Sequence, residues 1–251
     1  MEFSNVYEDA IRADAYSRLE FPGTYYLAFR DLPAITAKHV RGRKALDFGC
    51  GSGRSARFLK RLGFQTVGID ISNEMVERAR KSDPEGDYRV IREADFSPFG
   101  KGMFDLILSA FPFDNIPTME KKVMNLRGLR DLLREDGVLI NLVSSPDIYT
   151  HEWASFSTRD FPENRDAKSG DIVRIIQLDI DDKRPVNDIL WTAESYRETY
   201  RSAQLKIVHV YKPLAKKEEP YDWVNETRMA PWTIYVLCRE WQGTDKNRPV
   251  L

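Results

Sequence analysis

Three glycines at alternate positions, Gly49, Gly51 and Gly53, follow an acid, Asp47, that lies in a short apolar run, and they precede the helical pattern Ala56, Leu59, Lys60, Leu62. Glycine at a strand-to-helix turn permits a tight bend, lets the backbone approach a ligand closely and leaves helix N-terminal N–H groups aimed at it. Asp70 closes the next apolar run (QTVGID), where a carboxylate can accept hydrogen bonds from both hydroxyls of an adenosine ribose. Asp95, in the segment EADF, can accept from an exocyclic amino group, with Phe96 or Ile71 against the ring. The strict alternation of Gly49, Gly51 and Gly53 departs from the G-x-G-x-x-G spacing of dinucleotide folds.

These residues need a frame. Runs of mostly apolar residues at 45–48, 65–70, 88–91, 104–109 and 137–143 alternate with helical patterns at 56–62, 73–81 and 120–134. Ser72 or Asn73 can cap the second of these helices through a side-chain oxygen. Short apolar strands separated by helices imply βαβ crossovers and a parallel sheet covered on both faces. The expected fold is α/β, a doubly wound Rossmann-like sheet. Beyond residue 145 the text predicts strands at 171–181, 188–191, 206–211 and 233–239 and a helix at 193–203, while 146–170 has no clear period. The organisation expected is a helical lid over residues 1–40, a core over 41–145, a cap insertion over 146–190 and closing elements over 191–242.

Composition narrows the function. The 38 basic residues nearly cancel the 39 acidic ones, which gives no general pull towards nucleic acid or an anionic membrane. Cys50 and Cys238 offer neither a disulfide framework nor metal-ligand spacing, so no metal is expected. The first twenty residues lack an apolar signal region and no apolar run approaches 18 residues, so a cytoplasmic protein without a membrane partner is expected.

Taken in order, these segments resemble the class I S-adenosylmethionine-dependent methyltransferases. LDFGCGSG is similar to their first motif, VGIDIS with Met75 to the second, EADFSPF to the third, FDLILSAFPF to the fourth-strand motif and LLREDGVLINLVSS to the helix and fifth strand. A weaker likeness runs through WTAESYRETYRSAQLKIVHVYKP, and TIYVLCRE is similar to the family's reversed seventh strand, which implies about seven strands with an antiparallel last one. The resemblance implies S-adenosyl-L-methionine as cofactor and S-adenosyl-L-homocysteine as product. It implies that Asp47, Gly49, Gly51, Arg54 and Ser55 hold the methionine end, with Cys50 and Gly53 in the same loop. Asp70 takes the ribose, Ile71 and Phe96 the adenine faces and Asp95 its amino group. Met75 follows the second motif, and Ser109, Ala110 and Phe111 pass beneath the sulfonium.

The acceptor is less determined. The sequence after the fourth strand, SAFPFDN, departs from the Asn/Asp-Pro-Pro-Tyr/Phe of enzymes acting on base amino groups, and neither cysteine is placed for carbon-5 methylation of cytosine. A small molecule methylated on O or N is therefore favoured over RNA or protein, with a homodimer allowed. An NAD(P)-dependent oxidoreductase and a non-catalytic binding module are the rival readings. Open α/β sheets bind ligands over their strand C-termini, so Tyr25, Tyr26, Phe113, Tyr149 and Trp153 are candidate acceptor contacts. His151 is the natural general-base candidate because imidazole titrates near neutrality, and Asp114 is the second. The stretch from Trp223 to Trp232 either returns to the site or closes the sheet edge.

Overall fold

Side chains alternate across a strand, and in this chain both faces of each central strand are apolar. In the computed structural model, which describes residues 21–240, β1 (Lys44–Phe48), β2 (Gln65–Asp70), β3 (Asp87–Val90), β4 (Phe104–Ala110) and β5 (Leu133–Ser144) are parallel. β10 (Trp232–Arg239) enters between β5 and β9 (Leu205–Tyr211) and is antiparallel to both. The seven-stranded order is β3-β2-β1-β4-β5-β10-β9. The fold class is thus the one expected, with its antiparallel closing strand.

Parity sorts the core. Leu106, Leu108, Ile140, Leu142, Ile234 and Val236 face one side, where α1 (Thr24–Arg30) and α2 (Leu32–His39) pack with α3 (Arg54–Arg61). Their sequence neighbours Ile107, Leu139, Tyr235 and Leu237 face the other, under α5 (Met119–Leu132) and α6 (Ala193–Ser202). The helix α4 (Asn73–Ser82) covers the β2–β3 edge, where Val76 and Ala79 pack with Tyr88. Ser72 is its cap, accepting from Met75 N at 3.3 Å.

The insertion after β5 is a second, three-stranded antiparallel sheet of β6 (Phe156–Ser157), β7 (Ile172–Gln177) and β8 (Val186–Ile189). Val173 and Ile175 of β7 join the core beneath α1. α5 ends at Leu132, before the expected 134, because Leu133 already pairs with Phe104 and opens β5. The expected lid is described only from residue 21; its earlier aromatics Tyr7 and Tyr16, and the tail from Gly243, lie outside the described residues.

One buried acid joins three separated segments. Glu226, fully buried, accepts from Thr24 Oγ1 (2.7 Å), Ala154 N (2.7 Å), Val224 N (2.9 Å) and Asn225 N (3.1 Å). Thr24 also exchanges hydrogen bonds with Ser155 and accepts from Trp232 Nε1 through its carbonyl at 2.7 Å. Among the described residues no helix is long and apolar enough to cross a membrane, and no group of three His, Cys, Asp or Glu could hold a metal.

Candidate functional site

The strand order reverses between β1 and β4, and a crevice opens beyond the carboxyl ends of strands at such a point. A cavity of about 330 Å³ lies there, within the range of small-molecule sites, roughly 300–1,000 Å³. Gly49 and Gly51 from the turn after β1, Asp70 from the end of β2, and Ala110 and Phe111 from the end of β4 line it, with Ile71, Ile91 and Met75 as apolar walls. Gly49 takes φ 70° and donates to Ile69 O at 2.8 Å; a Cβ there would stand 2.6 Å from Pro112 Cβ. That position admits only glycine.

Asp70 ties two turns together: Oδ2 accepts from Gly51 N and Oδ1 from Ser72 N, both at 2.9 Å. Burial raises its carboxyl above the usual range, while these N–H groups pull the other way. Asp47 lies fully buried beneath the glycine turn. Its Oδ2 accepts from Ser55 Oγ at 2.7 Å, and its Oδ1 has no hydrogen-bond partner. Burial pushes the Asp47 carboxyl up to about 7, against the Ser55 hydrogen bond.

Several expected contacts are not brought to this cavity. Asp95 is half-buried and turned onto Ser97, whose N and Oγ donate to Oδ1 at 3.1 and 2.6 Å; Glu93 and Ala94 line the cavity in its place. Phe96 packs against Phe48, in the space that Gly128 leaves open on α5. Arg54 is buried with its guanidinium 5.0 Å from the Tyr25 ring and 5.4 Å from Phe21, and it does not line the cavity. Ser55 is committed to Asp47. Cys50 is buried against Gly68, and Gly53 starts α3 beside Tyr88. Ser109 is fully buried, its Oγ unpartnered.

A second, smaller chamber of about 40 Å³ shares Phe111 and Asn115 with the first cavity. Phe111 holds φ 74°, a left-handed conformation that is costly for a bulky residue. Tyr25, Phe156 and Trp232 line the chamber with Phe111, ring centroids 4.7 Å apart for Phe111–Trp232 and 5.6 Å for Tyr25–Trp232. Two buried acids complete it. Asp114 accepts from Ser144 N (3.0 Å) and Tyr196 OH (3.3 Å), and Asp188 accepts from Tyr149 OH (3.2 Å). Burial lifts Asp114 to about 6 and Asp188 to about 7. Behind them Lys122 is fully buried, its ammonium donating to Phe113 O and lying 4.7 Å from the Trp191 ring; burial lowers its pKa to about 7 although both acids oppose this.

Tyr25, Tyr149 and Asp114 therefore meet in the chamber, and the other acceptor candidates do not. His151 lines neither cavity: its Nδ1 lies 3.0 Å from Thr150 Oγ1 and 3.2 Å from Asp147 O. Tyr26 packs on Tyr221 at the surface, Phe113 faces the opposite core beside Phe48, and Trp153 is core, its Nε1 donating to Ile148 O. Trp232, the last residue of the stretch from Trp223, both begins β10 and lines the chamber. Asp188, Gln177 and Lys122 were not foreseen. Lys122 had a signal, since it lies one and two turns before Leu126 and Leu129 on the apolar stripe of α5.

Residues 46–141 match a family described as a methyltransferase domain. An uncharacterised methyltransferase of Synechocystis sp. is 29% identical over 110 residues, 44% of this chain and 51% of that protein. A ubiquinone biosynthesis O-methyltransferase of Xanthomonas campestris pv. campestris is 31% identical over 102 residues, 39% of this chain and 41% of that protein. The chain thus spans about half the length, or less, of these relatives. A putative S-adenosylmethionine-dependent methyltransferase from Listeria monocytogenes shares the fold, with TM-score 0.62 and 18% identity over 85% of this chain and 97% of that one.

Proposed function

We propose that this chain, whose residues 46–141 match a methyltransferase-domain family, is a class I S-adenosylmethionine-dependent methyltransferase that methylates an O or N atom of a small molecule. The observation that carries this reading is the pair of cavities meeting at Phe111 and Asn115, one sized for a cofactor and the other for a few atoms.

The family's cofactor is S-adenosylmethionine, and the residues present suit it. The unpartnered Asp47 Oδ1 and the acceptor-rich floor at Asp70 call for donors and positive charge, whereas Ile71, Ile91 and Met75 offer an apolar slot for a base. Asp70 would take the ribose hydroxyls, Gly49 and Gly51 the methionine end over Asp47, and Ile71 with Ile91 the adenine faces. When bound, the cofactor supplies an electrophilic methyl group on a cationic sulfur. Ala110 and Phe111 then set the boundary across which the acceptor atom must be aimed. Alignment of this kind supplies on the order of 7 kcal/mol or more, and the aromatic walls of the chamber displace water from around the nucleophile. A chamber of about 40 Å³ suits the end of a metabolite better than a nucleobase.

Calorimetric titration with S-adenosylhomocysteine tests the reading. One site is expected, and Asp70→Ala should weaken it at least about tenfold, since a charge-assisted pair and the Gly51 anchor are lost together. A folded protein that binds no S-adenosylhomocysteine, or binds a nicotinamide dinucleotide more tightly, would overturn it.

A further inference from the structure

Resting on the methyl-transfer reading, we infer that the acceptor is a small primary or secondary amine, held as its ammonium among Asp188, Asp114 and the rings of Tyr25, Phe111 and Trp232.

The chamber's size is the first constraint. About 40 Å³ admits roughly three water-sized groups, at ~10–15 Å³ each, so only the reacting end of the acceptor fits.

Its polarity is the second. Several donors at its wall are already committed to the protein: Tyr149 OH to Asp188, Ser144 N to Asp114 and Gln177 Nε2 to Tyr25 OH, while Tyr196 OH donates to Asp114 from behind. What the wall offers inward is acceptor capacity, from two carboxylates and from Asn115 Oδ1, which is buried without a hydrogen-bond partner. A buried acceptor without a donor costs free energy that a ligand N–H recovers. An alcohol brings one donor, an acetate none, and an ammonium two or three.

Charge is the third constraint. Lys122, the buried cation set against Asp114 and Asp188, sits behind the wall on Phe113 O, between the rings of Trp191 and Tyr196. With both acids ionised, Lys122 balances only one of them, and a bound cation would neutralise the second in a low-dielectric site where an ion without a partner is expensive. Aromatic faces add attraction for a cation and none for an alcohol. Arg54, the other cation nearby, lies over the rings of Tyr25, Phe21 and Phe29 on the helix side.

The same acids serve the transfer. The bound ammonium gives one proton to the Asp188 carboxylate, and the freed nitrogen lone pair forms the N–CH3 bond. As it forms, the S–CH3 bond breaks and its electron pair stays on sulfur, leaving a neutral thioether. The product is a methylated ammonium, and the proton on Asp188 passes to water when the site opens. With its acidity near neutrality, Asp188 is matched to that exchange.

Ethylammonium, ethanol and acetate, titrated into protein saturated with S-adenosylhomocysteine and followed by ligand-observed NMR, test the inference. Ethylammonium should bind at least tenfold more tightly than ethanol, and acetate not at all. Asp188→Asn should lower ethylammonium binding at least tenfold, lower ethanol binding far less and leave S-adenosylhomocysteine binding unchanged. Should that variant fail to fold by circular dichroism, the ranking of the three probes on the native chain decides alone. Equal binding of ethanol and ethylammonium, or an ammonium affinity indifferent to a folded Asp188→Asn, overturns the amine assignment while cofactor binding stands. Failure of S-adenosylhomocysteine to bind instead overturns the reading beneath it.

Discussion

Glu226→Ala is expected to destabilise the chain by at least about 3 kcal/mol, because four buried or half-buried donors lose their acceptor at once and each costs about 1–3 kcal/mol when left unpaired. For a chain of this size that corresponds to a fall of roughly 6–12 °C in Tm. The loss should be local as well as global. Thr24 on α1, Ala154 in the insertion and the 224–225 turn meet through this side chain, the Thr24–Ser155 pair and the bond from Asn225 Nδ2 to Glu152 O. Amide exchange in residues 24–30 should therefore accelerate before the main sheet loosens. Glu226→Gln keeps one oxygen for Thr24 and Ala154 but turns an amide towards Val224 N and Asn225 N, so an intermediate loss is expected. A melting curve unchanged in Glu226→Ala would refute the latch.

Asp47→Asn should act in the opposite direction. The Asp47 carboxyl titrates near 7 when folded and near 3.8 when free. Between about pH 4 and pH 7 the folded chain holds a proton that the unfolded chain has released, so this residue's contribution to stability falls as pH rises through that window. The difference corresponds to roughly 4 kcal/mol at full ionisation. Asp188 and Asp114, raised in the same sense, steepen the fall. In Asp47→Asn the Asp47 share disappears: urea denaturation should give a variant similar to the native chain at pH 4 and several kcal/mol more stable at pH 8. Affinity for S-adenosylhomocysteine should drop under the proposed binding mode, in which Oδ1 is the buried acceptor beneath the methionine end. A native chain equally stable at both pH values would sink the argument. A buried, half-satisfied acid in a fold that would be steadier without it marks stability given up for binding.

The sheet was legible because its information is local. Apolar runs of four to seven residues, the Gly49–Gly51 alternation and Asp70 at a strand end each define their own position, and the structure places all of them within a few residues of expectation. The antiparallel β10 was legible only through the likeness of TIYVLCRE to a known pattern, since a strand's direction is not written in its own residues. The acceptor side depends on contacts between distant segments. Asp188 lies in β8, where an inward acid looks like an ordinary polar alternation until Tyr149 and Asp114 are placed around it. His151 was attractive by chemistry alone, yet its turn bonds it to Thr150 and Asp147. Asp95 turns away from the cavity for the same kind of reason, because a loop acid beside a serine readily closes a local hydrogen-bonded turn.

Chain order and site assembly are out of step. The strands around the larger cavity are complete by Ser144, whereas the chamber needs Trp232, and α1 is pinned by bonds from Thr24 to residues 202 and 208 positions later. At roughly 5–20 residues per second during synthesis, α1 waits on the order of ten to forty seconds for those partners. Throughout that interval the nascent protein has the strands of the larger cavity but not the chamber, and the apolar face of α1 must be kept from misassociation until β10 arrives.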